Sequence, residues 1–181
     1  MNYGNGKYIK VVVCGEGGVG KTSFLNKVIN NFFDETSELT KGVDFFNKKI
    51  HMTHHGEDYD LIFWDFGGQD RFRKLLLDFV NGSSVAVFLF DITRANTLDK
   101  IEEWMDILEE SGNIPLLILG TKEDEIDEEK RTLYSEILNN IVEVYDQVFG
   151  GLLISSKTGF NVDKALDLII DKLNEAHFNS L

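Results

Sequence analysis

The sequence predicts an α/β fold in which a mostly parallel sheet is covered by helices on both faces. Along its 181 residues, short apolar, β-branched runs alternate with longer stretches that carry apolar residues at helical spacing. Such alternation is typical of βαβ units with right-handed crossovers. Two strand-like runs are separated only by a short polar stretch, which predicts a hairpin and one antiparallel edge strand. We therefore expect a six-stranded mixed sheet and about five helices.

The predicted strands are compact apolar runs. The first is a compact β-branched run that is followed by glycines, and this pattern predicts a buried strand. The second and third are joined by the polar residues 53–57, and the other three are uninterrupted apolar runs. In chain order the six strands are residues 8–14, 43–52, 59–66, 85–92, 116–121 and 152–155.

The predicted helices lie between and after these strands. Residues 21–31 carry Phe24, Leu25, Val28 and Ile29 on one helical face. The other predicted helices are residues 71–80, 98–110, 128–149 and 162–176.

Composition predicts a single globular domain over residues 1–181, with its core between about residues 8 and 176. Hydrophobic residues make up 43% of the chain, and there is one proline and no low-complexity tract. The net charge of −13 opposes binding to nucleic acid or anionic lipid. We expect a cytoplasmic protein without a direct lipid anchor, because the chain has no leader-like segment, no apolar run near 20 residues and no carboxy-terminal cysteine.

A glycine-rich segment connects the first predicted strand to the first helix. Residues 15–22 read GEGGVGKT, which fits the pattern G-x-x-x-x-G-K-[ST]. The glycines let main-chain N–H groups surround a phosphate, toward which the helix amino terminus directs its dipole. Lys21 is expected to reach the β- and γ-phosphates, and the Thr22 hydroxyl to coordinate Mg²⁺. Since an ordinary tight turn needs only one or two glycines, the pattern predicts a nucleotide phosphate site.

A second polar motif follows the third predicted strand. Asp65 stands at the strand end, where a carboxylate can bind Mg²⁺ beside the phosphate loop. Gly68 allows the main chain to approach the γ-phosphate, and Gln69 can orient an attacking water. The motif alone also fits an ordinary turn, but its position after a strand favours a role at the phosphates.

Two further motifs predict which base is bound. Asp124 can accept hydrogen bonds from N1–H and the exocyclic amine of guanine, a donor pair that adenine lacks. Lys122 and Lys157 have aliphatic stems that can cover the faces of a purine, and the Ser156 N–H can donate to the guanine O6. Asp124 also fits a helix amino-terminal carboxylate, and both roles are compatible.

Taken in order, these motifs resemble those of the Ras superfamily of small GTPases. The resemblance runs from about residue 8 to residue 176 and implies a P-loop NTPase fold of the small G-domain type. Residues 40–45 and 64–73 are similar to the corresponding Rab segments, whereas the Gly67-Gly68 pair with Thr121-Lys122 resembles mitotic-exit-network GTPases.

The resemblance implies roles for matching residues. Thr40 is similar to the threonine that joins Mg²⁺ and senses the γ-phosphate, and Phe33 to the aromatic residue that packs on guanine, although Phe33 also fits a core aromatic. The implied catalytic residue is Gln69. The implied Mg²⁺ ligands are Thr22, Thr40 and Asp65. The implied nucleotide-binding residues are Gly17, Gly18, Val19, Gly20, Lys21, Thr22, Ser23, Phe33, Thr40, Asp65, Gly68, Thr121, Lys122, Asp124, Ser155, Ser156 and Lys157.

The implied function is a monomeric GDP/GTP switch that hydrolyses GTP slowly with Mg²⁺. It would signal through two switch segments, residues 32–44 and 66–80, to effectors, and be regulated by exchange factors and GTPase-activating proteins. Slow turnover is expected because residues 31–39 contain no arginine. A GTP-binding scaffold with negligible hydrolysis is the alternative, and an ATP-dependent kinase or ATPase would leave Asp124 without a role.

Three residues depart from the family pattern. Thr121 stands in place of asparagine, which predicts a weaker contact with the base. Lys41 replaces an apolar residue on the expected effector surface, and Gly67 replaces alanine, which predicts a looser second switch segment.

Overall fold

The computed structural model describes residues 7–35, 39–40, 42–52, 56–67 and 76–178. These residues form six strands and five α-helices. The strands are β1 (Lys7–Cys14), β2 (Val43–Met52), β3 (Glu57–Phe66), β4 (Val85–Asp91), β5 (Leu116–Thr121) and β6 (Val148–Leu153). The helices are α1 (Lys21–Asn30), α2 (Leu76–Val80), α3 (Ile101–Glu110), α4 (Glu128–Val144) and α5 (Val162–Phe178).

The six strands form one mixed sheet in the order β2-β3-β1-β4-β5-β6. Only β2 runs antiparallel to its neighbour, and it pairs with β3 along the whole hairpin from Val43–Phe66 to Met52–Glu57. The remaining neighbours are parallel. The predicted fold class is therefore confirmed, including its single antiparallel edge strand.

Apolar side chains cover both faces of the sheet. On one face, Phe24 and Leu25 of α1 and Ile169 and Leu173 of α5 are buried against β1, β3 and β4. On the other face, a second cluster joins α2, α3 and α4 to the sheet. None of the helices within the described ranges is both long and apolar enough to cross a bilayer.

The predicted boundary between the fourth helix and the last strand is wrong. Helix α4 ends at Val144 rather than near residue 149, and β6 begins at Val148 rather than at residue 152. The strand was not recognised in the sequence because Gly150 and Gly151, in its middle, are not typical strand residues. Both glycines pack closely in the fold: a Cβ on Gly151 would lie 3.0 Å from the Cβ of Leu138 on α4, and a Cβ on Gly150 would lie 3.2 Å from Leu117 on β5.

The parallel strands bring their carboxyl ends to one edge of the sheet. Strands β1 and β3 to β6 all end there, and each leads into a loop that carries polar side chains. The chain passes from β1 to β2 and β3 on one side of β1, and then from β3 to β4 on its other side, so the strand order reverses at β1. Ligands of open α/β sheets bind in the crevice at such a reversal.

Candidate functional site

The glycine-rich loop wraps around the amino end of α1. Its first residue, Gly15, has a φ of 130°, and a Cβ there would lie 2.1 Å from the carbonyl oxygen of Leu89 on β4. Glycine is therefore required for the chain to pass β4 at this point. Gly20, with a φ of 96°, immediately precedes α1. The loop thus presents the free main-chain N–H groups of a helix start to the sheet edge.

Lys21 lies inside the loop that it follows. Its side chain is buried, and its Nζ donates to the carbonyl oxygens of Gly15 at 3.0 Å and Glu16 at 2.8 Å. Burial lowers the pKa of Lys21, and the nearby Asp65 carboxylate opposes that shift. A cation held in this position faces any anion that the loop encloses.

Three side-chain oxygens meet beside the loop. The Thr22 hydroxyl lies 2.7 Å from the Thr40 hydroxyl and donates to Asp65 Oδ2 at 2.5 Å. These residues come from α1, from the first switch segment and from the end of β3. Three segments that are distant in sequence therefore meet at one point.

The chemistry of this oxygen cluster fits Mg²⁺. Asp65 is fully buried, and its Oδ1 has no hydrogen-bond partner among the residues that the structure describes. Burial raises the pKa of Asp65, while the Thr22 hydrogen bond and the Lys21 charge act in the opposite direction. One carboxylate and two hydroxyl groups are oxygen donors of the kind that Mg²⁺ takes alongside water and phosphate.

Gly67 joins the two switch segments. Its N–H donates to the carbonyl oxygen of Gly42 at 2.8 Å. A Cβ on Gly67 would lie 2.4 Å from the carbonyl oxygen of Thr40. The absence of a side chain thus allows close main-chain contact with the first switch segment, whereas the sequence comparison predicted only a looser second segment.

A pocket of about 280 Å³ extends from the loop along the ends of β5 and β6. It collects most of the residues predicted to bind the base. Its lining comprises Gly18, Gly20, Ser23, Phe33, Asp34, Glu35, Thr121, Lys122, Asp124, Glu125, Ser156 and Lys157. Phe33 therefore lies at the pocket and not in either core cluster.

Thr121 holds the phosphate loop against β5. Its buried hydroxyl lies 2.7 Å from the carbonyl oxygen of Val19 and 3.0 Å from that of Phe90. The hydroxyl thus contacts main-chain oxygens of the protein, while the residue also lines the pocket.

Asp124 and Lys122 are each oriented by a neighbour. The hydroxyl of buried Ser155 donates to Asp124 Oδ1 at 2.5 Å. This hydrogen bond orients the exposed Asp124 carboxylate. Lys122 Nζ lies 2.7 Å from Asp91 Oδ2, so the lysine stem is anchored where it borders the pocket.

An ion pair crosses the mouth of the pocket. Lys157 Nζ lies 2.5 Å from Glu35 Oε1. Both side chains are more than half exposed, and the hydrogen bond to Glu35 raises the pKa of Lys157. The first switch segment is thereby tied to the loop after β6.

Sequence reasoning missed one cation at the phosphate loop. Arg94, in the connection from β4 to α3, donates from Nη2 to the carbonyl oxygen of Gly17 at 3.2 Å. The available signal was an arginine three residues after Asp91 at a strand end.

Three individually predicted residues lie outside the described residues, namely Lys41, Gly68 and Gln69, as do residues 36–38 and 70–75 of the predicted switch segments. The structure brings the other predicted residues to one edge of the sheet, from the glycine loop through the oxygen cluster to the pocket. Together, the fold and this arrangement define a P-loop nucleotide-binding protein.

Comparisons with known proteins give the family. The model of the Ras family matches residues 10–175. The chain is 30% identical over 170 residues to the Ypt/Rab-type GTPase ypt7 of Pyricularia oryzae, covering 89% of this chain and 80% of that protein. It shows the same identity and coverage with the Ypt/Rab-type GTPase Rab7 of Gibberella zeae. The chain therefore belongs to the Ras family and is a Rab-like small GTPase.

Proposed function

We propose that this GTPase is a Mg²⁺-dependent GDP/GTP switch whose two switch segments respond to the γ-phosphate. The observation that carries the proposal is the position of Thr22. Its hydroxyl contacts Thr40 of the first switch segment and Asp65, the residue directly before the second segment. A ligand that engages these oxygens would change the contacts of both segments at once.

Guanine selectivity is assigned to Asp124. Its carboxylate borders the pocket and is oriented by Ser155. It would accept from N1–H and from the exocyclic amine of guanine. Polar groups left unpaired in such a site are costly, so adenine nucleotides would be rejected strongly.

The phosphates are assigned to the loop of residues 15–22. Its main-chain N–H groups and Lys21 would surround the β- and γ-phosphates. Thr22, Thr40 and Asp65 would hold Mg²⁺, which when bound neutralises charge on the phosphate oxygens. The Oδ1 of buried Asp65, which no described residue contacts by a hydrogen bond, supports this assignment.

Hydrolysis is proposed to be slow and to use Gln69 to orient water. This glutamine follows Asp65 by four residues in the sequence. GTPase-activating proteins would accelerate the step, and exchange factors would release GDP.

Effector binding is assigned to the exposed surface beside the switch segments. Phe45 on β2 is 60% exposed, and its ring meets Trp64 edge-on with centroids 4.7 Å apart. Phe79 of α2 also contacts Trp64, with ring centroids 6.2 Å apart. Trp64 and Phe79 are half-buried and support the exposed Phe45 ring, and apolar aromatic surface of this kind is typical of protein-binding sites.

Two assays test the proposal. Competition binding with GDP and ADP should show a preference for GDP of several orders of magnitude. Single-turnover phosphate release from protein loaded with GTP should be slow, measurable and dependent on Mg²⁺. Equal binding of ADP would contradict the base assignment, and an absence of phosphate release would favour the non-hydrolysing scaffold.

A further inference from the structure

Arg94 is held at the phosphate loop by a buried carboxylate. Asp91, the last residue of β4, is fully buried, and its Oδ2 accepts from Arg94 Nε at 2.9 Å. The other carboxylate oxygen accepts from the Thr93 N–H and hydroxyl at 2.9 and 2.6 Å. Burial acts to raise the pKa of Asp91, but hydrogen bonds from Lys122, Thr93 and Arg94 outweigh it and the pKa is lowered. The carboxylate is therefore a fixed anionic anchor for the arginine.

The guanidinium reaches the loop from this anchor. Arg94 Nη2 donates to the carbonyl oxygen of Gly17 at 3.2 Å and lies 3.6 Å from the position that a Cβ on Gly18 would occupy. Leu39 of the first switch segment approaches the same Gly18 position, also at 3.6 Å. Arg94 thus lies where the phosphate loop meets the residue before Thr40.

This meeting point is the expected place of the terminal phosphate. Lys21, which reaches the β- and γ-phosphates in this loop type, has its Nζ on Gly15 and Glu16, directly before Gly17. Thr40, the residue after Leu39, contacts the Thr22 hydroxyl. A γ-phosphate between these groups would lie beside the Arg94 guanidinium.

The Arg94 guanidinium has further N–H groups that could donate to a γ-phosphate. A guanidinium carries five N–H donors in a planar fork. Within the described part of the chain, the contacts with Asp91 and Gly17 use two of them. The arginine side chain is 44% exposed, so its outer edge remains accessible from the open side of the loop.

We propose that Arg94 is a built-in arginine that contacts the γ-phosphoryl group of bound GTP and stabilises the charge that develops during hydrolysis. This assignment rests on the proposed GTP-hydrolysing switch. The expectation of slow turnover considered only residues 31–39, whereas this arginine comes from the connection after β4. Unassisted hydrolysis would remain slow, and Arg94 would account for part of its rate.

The step that Arg94 assists is in-line transfer of the γ-phosphoryl group to water. The water oxygen forms a bond to the γ-phosphorus as the bond to the β–γ bridging oxygen breaks. The electron pair of that bond stays on GDP, and the protons of the water pass to the released phosphate and to solvent. Negative charge moves onto the bridging and γ-oxygens, which a fixed guanidinium stabilises more in the transition state than in bound GTP.

A purely structural clamp on Gly17 is the competing role. Such a clamp would alter nucleotide affinity and leave the rate of hydrolysis of GTP already bound unchanged. A catalytic contact would have the opposite effect, because its interaction strengthens in the transition state.

The test combines single-turnover hydrolysis with binding of a transition-state analogue. Parent, Arg94→Ala and Arg94→Lys proteins are loaded with GTP and Mg²⁺, and phosphate release is followed without any partner. Formation of the GDP–aluminium fluoride complex is followed by ¹⁹F NMR, and GDP release with a fluorescent GDP. Lys100→Ala, which removes a cation paired with Glu103 at 2.9 Å at the start of α3, is the matched control.

Arg94→Ala is expected to lower the single-turnover rate roughly ten- to a hundredfold and to abolish the GDP–aluminium fluoride complex. Its GDP release should stay within about threefold of the parent. Arg94→Lys should recover part of the rate, because it restores charge without the planar fork, and Lys100→Ala should match the parent.

Three results would overturn the assignment. These are parent-like hydrolysis by Arg94→Ala, equal binding of the analogue by both proteins, or a change confined to GDP release. A parent protein that binds GTP but behaves in these assays like Arg94→Ala contradicts the Arg94 assignment alone. A parent protein that binds no GTP contradicts the proposed function as well.

Discussion

The Thr121 hydroxyl lies 2.7 Å from the carbonyl oxygen of Val19, a residue 102 positions earlier in the chain. This contact joins the strand that leads to the base-binding motif directly to the phosphate loop. The base-binding and phosphate-binding halves of the candidate nucleotide site are therefore connected. A change in β5 should alter how the loop binds phosphate.

Replacement of Thr121 by valine tests this connection. The substitution keeps the shape of the side chain and leaves the buried Val19 and Phe90 carbonyl oxygens without their hydroxyl partner. We expect a loss of about 1–2 kcal/mol in unfolding free energy and faster GDP release. Urea unfolding and fluorescent-GDP release measure the two effects. Thr121→Ser, which keeps the hydroxyl, should stay near the parent, and a valine variant equal to the parent would show that the contact is unimportant.

Replacement of Asp124 by asparagine should change the base that is preferred. Asparagine loses one acceptor for guanine and offers an N–H to the O2 of xanthine, so the preference between GDP and XDP should shift by orders of magnitude. Competition binding provides the measurement. Glu125→Gln makes the same charge change one residue away in the same pocket and should keep the parent preference. Identical ranking of GDP and XDP by Asp124→Asn and the parent would exclude Asp124 as the base-reading residue.

Replacement of Lys21 by alanine should weaken GTP and GDP binding by at least about a hundredfold. The change removes the cation that the loop encloses, whose interaction with phosphate is a charge-assisted contact in a buried site. Calorimetric titration gives the affinities, and circular dichroism checks the fold. Lys27→Ala, on the same helix, is the control. An unchanged GTP affinity in Lys21→Ala would contradict the phosphate-loop assignment.

The ion pair between Lys157 and Glu35 should slow nucleotide release modestly. Glu35→Gln is expected to speed GDP release about two- to fivefold at low ionic strength, as is typical of exposed ion pairs. The difference should vanish near 1 M salt, because screening then acts over about 3 Å. Glu103→Gln removes half of a comparable pair on α3 and should have no effect. An equal acceleration at both salt concentrations would mean that charge is not the cause.

Replacement of Gln69 by leucine should lower single-turnover hydrolysis about tenfold or more and leave GTP affinity intact, because leucine cannot orient water. Phosphate release and equilibrium GTP binding are the two measurements. The double variant with Arg94→Ala provides a further check, since two groups that act on one transition state give non-additive losses. A Gln69→Leu protein that hydrolyses GTP like the parent would remove the glutamine from the mechanism.

Local sequence patterns were sufficient for most of the fold. The predicted residues 43–52 and 116–121 coincide with β2 and β5. These strands could be predicted because apolar runs and turn residues depend only on neighbouring positions in the sequence. The last strand was misplaced because Gly150 and Gly151 lack the β-branched signal. The close packing of Gly151 against Leu138 of α4 and of Gly150 against Leu117 of β5 exists only in the folded protein.

The candidate site divides in the same way. The phosphate loop is a contiguous motif and could be read from the chain, whereas the Arg94–Gly17 and Lys157–Glu35 contacts join loops far apart in sequence. Nothing in the local pattern says which loops face each other across the sheet edge. Sequence reasoning therefore looked for an arginine ahead of Thr40 and missed the one after β4.

The hydrogen bond from Gly67 to Gly42 has a thermodynamic consequence for partner binding. This hydrogen bond joins the two switch segments. GTP and a protein partner that both favour the joined arrangement therefore each raise the affinity of the protein for the other. Linkage makes this effect reciprocal: the factor by which GTP strengthens a partner is the factor by which that partner strengthens GTP. A protein that contacts only the β2 edge should therefore prolong the lifetime of bound GTP without touching the nucleotide.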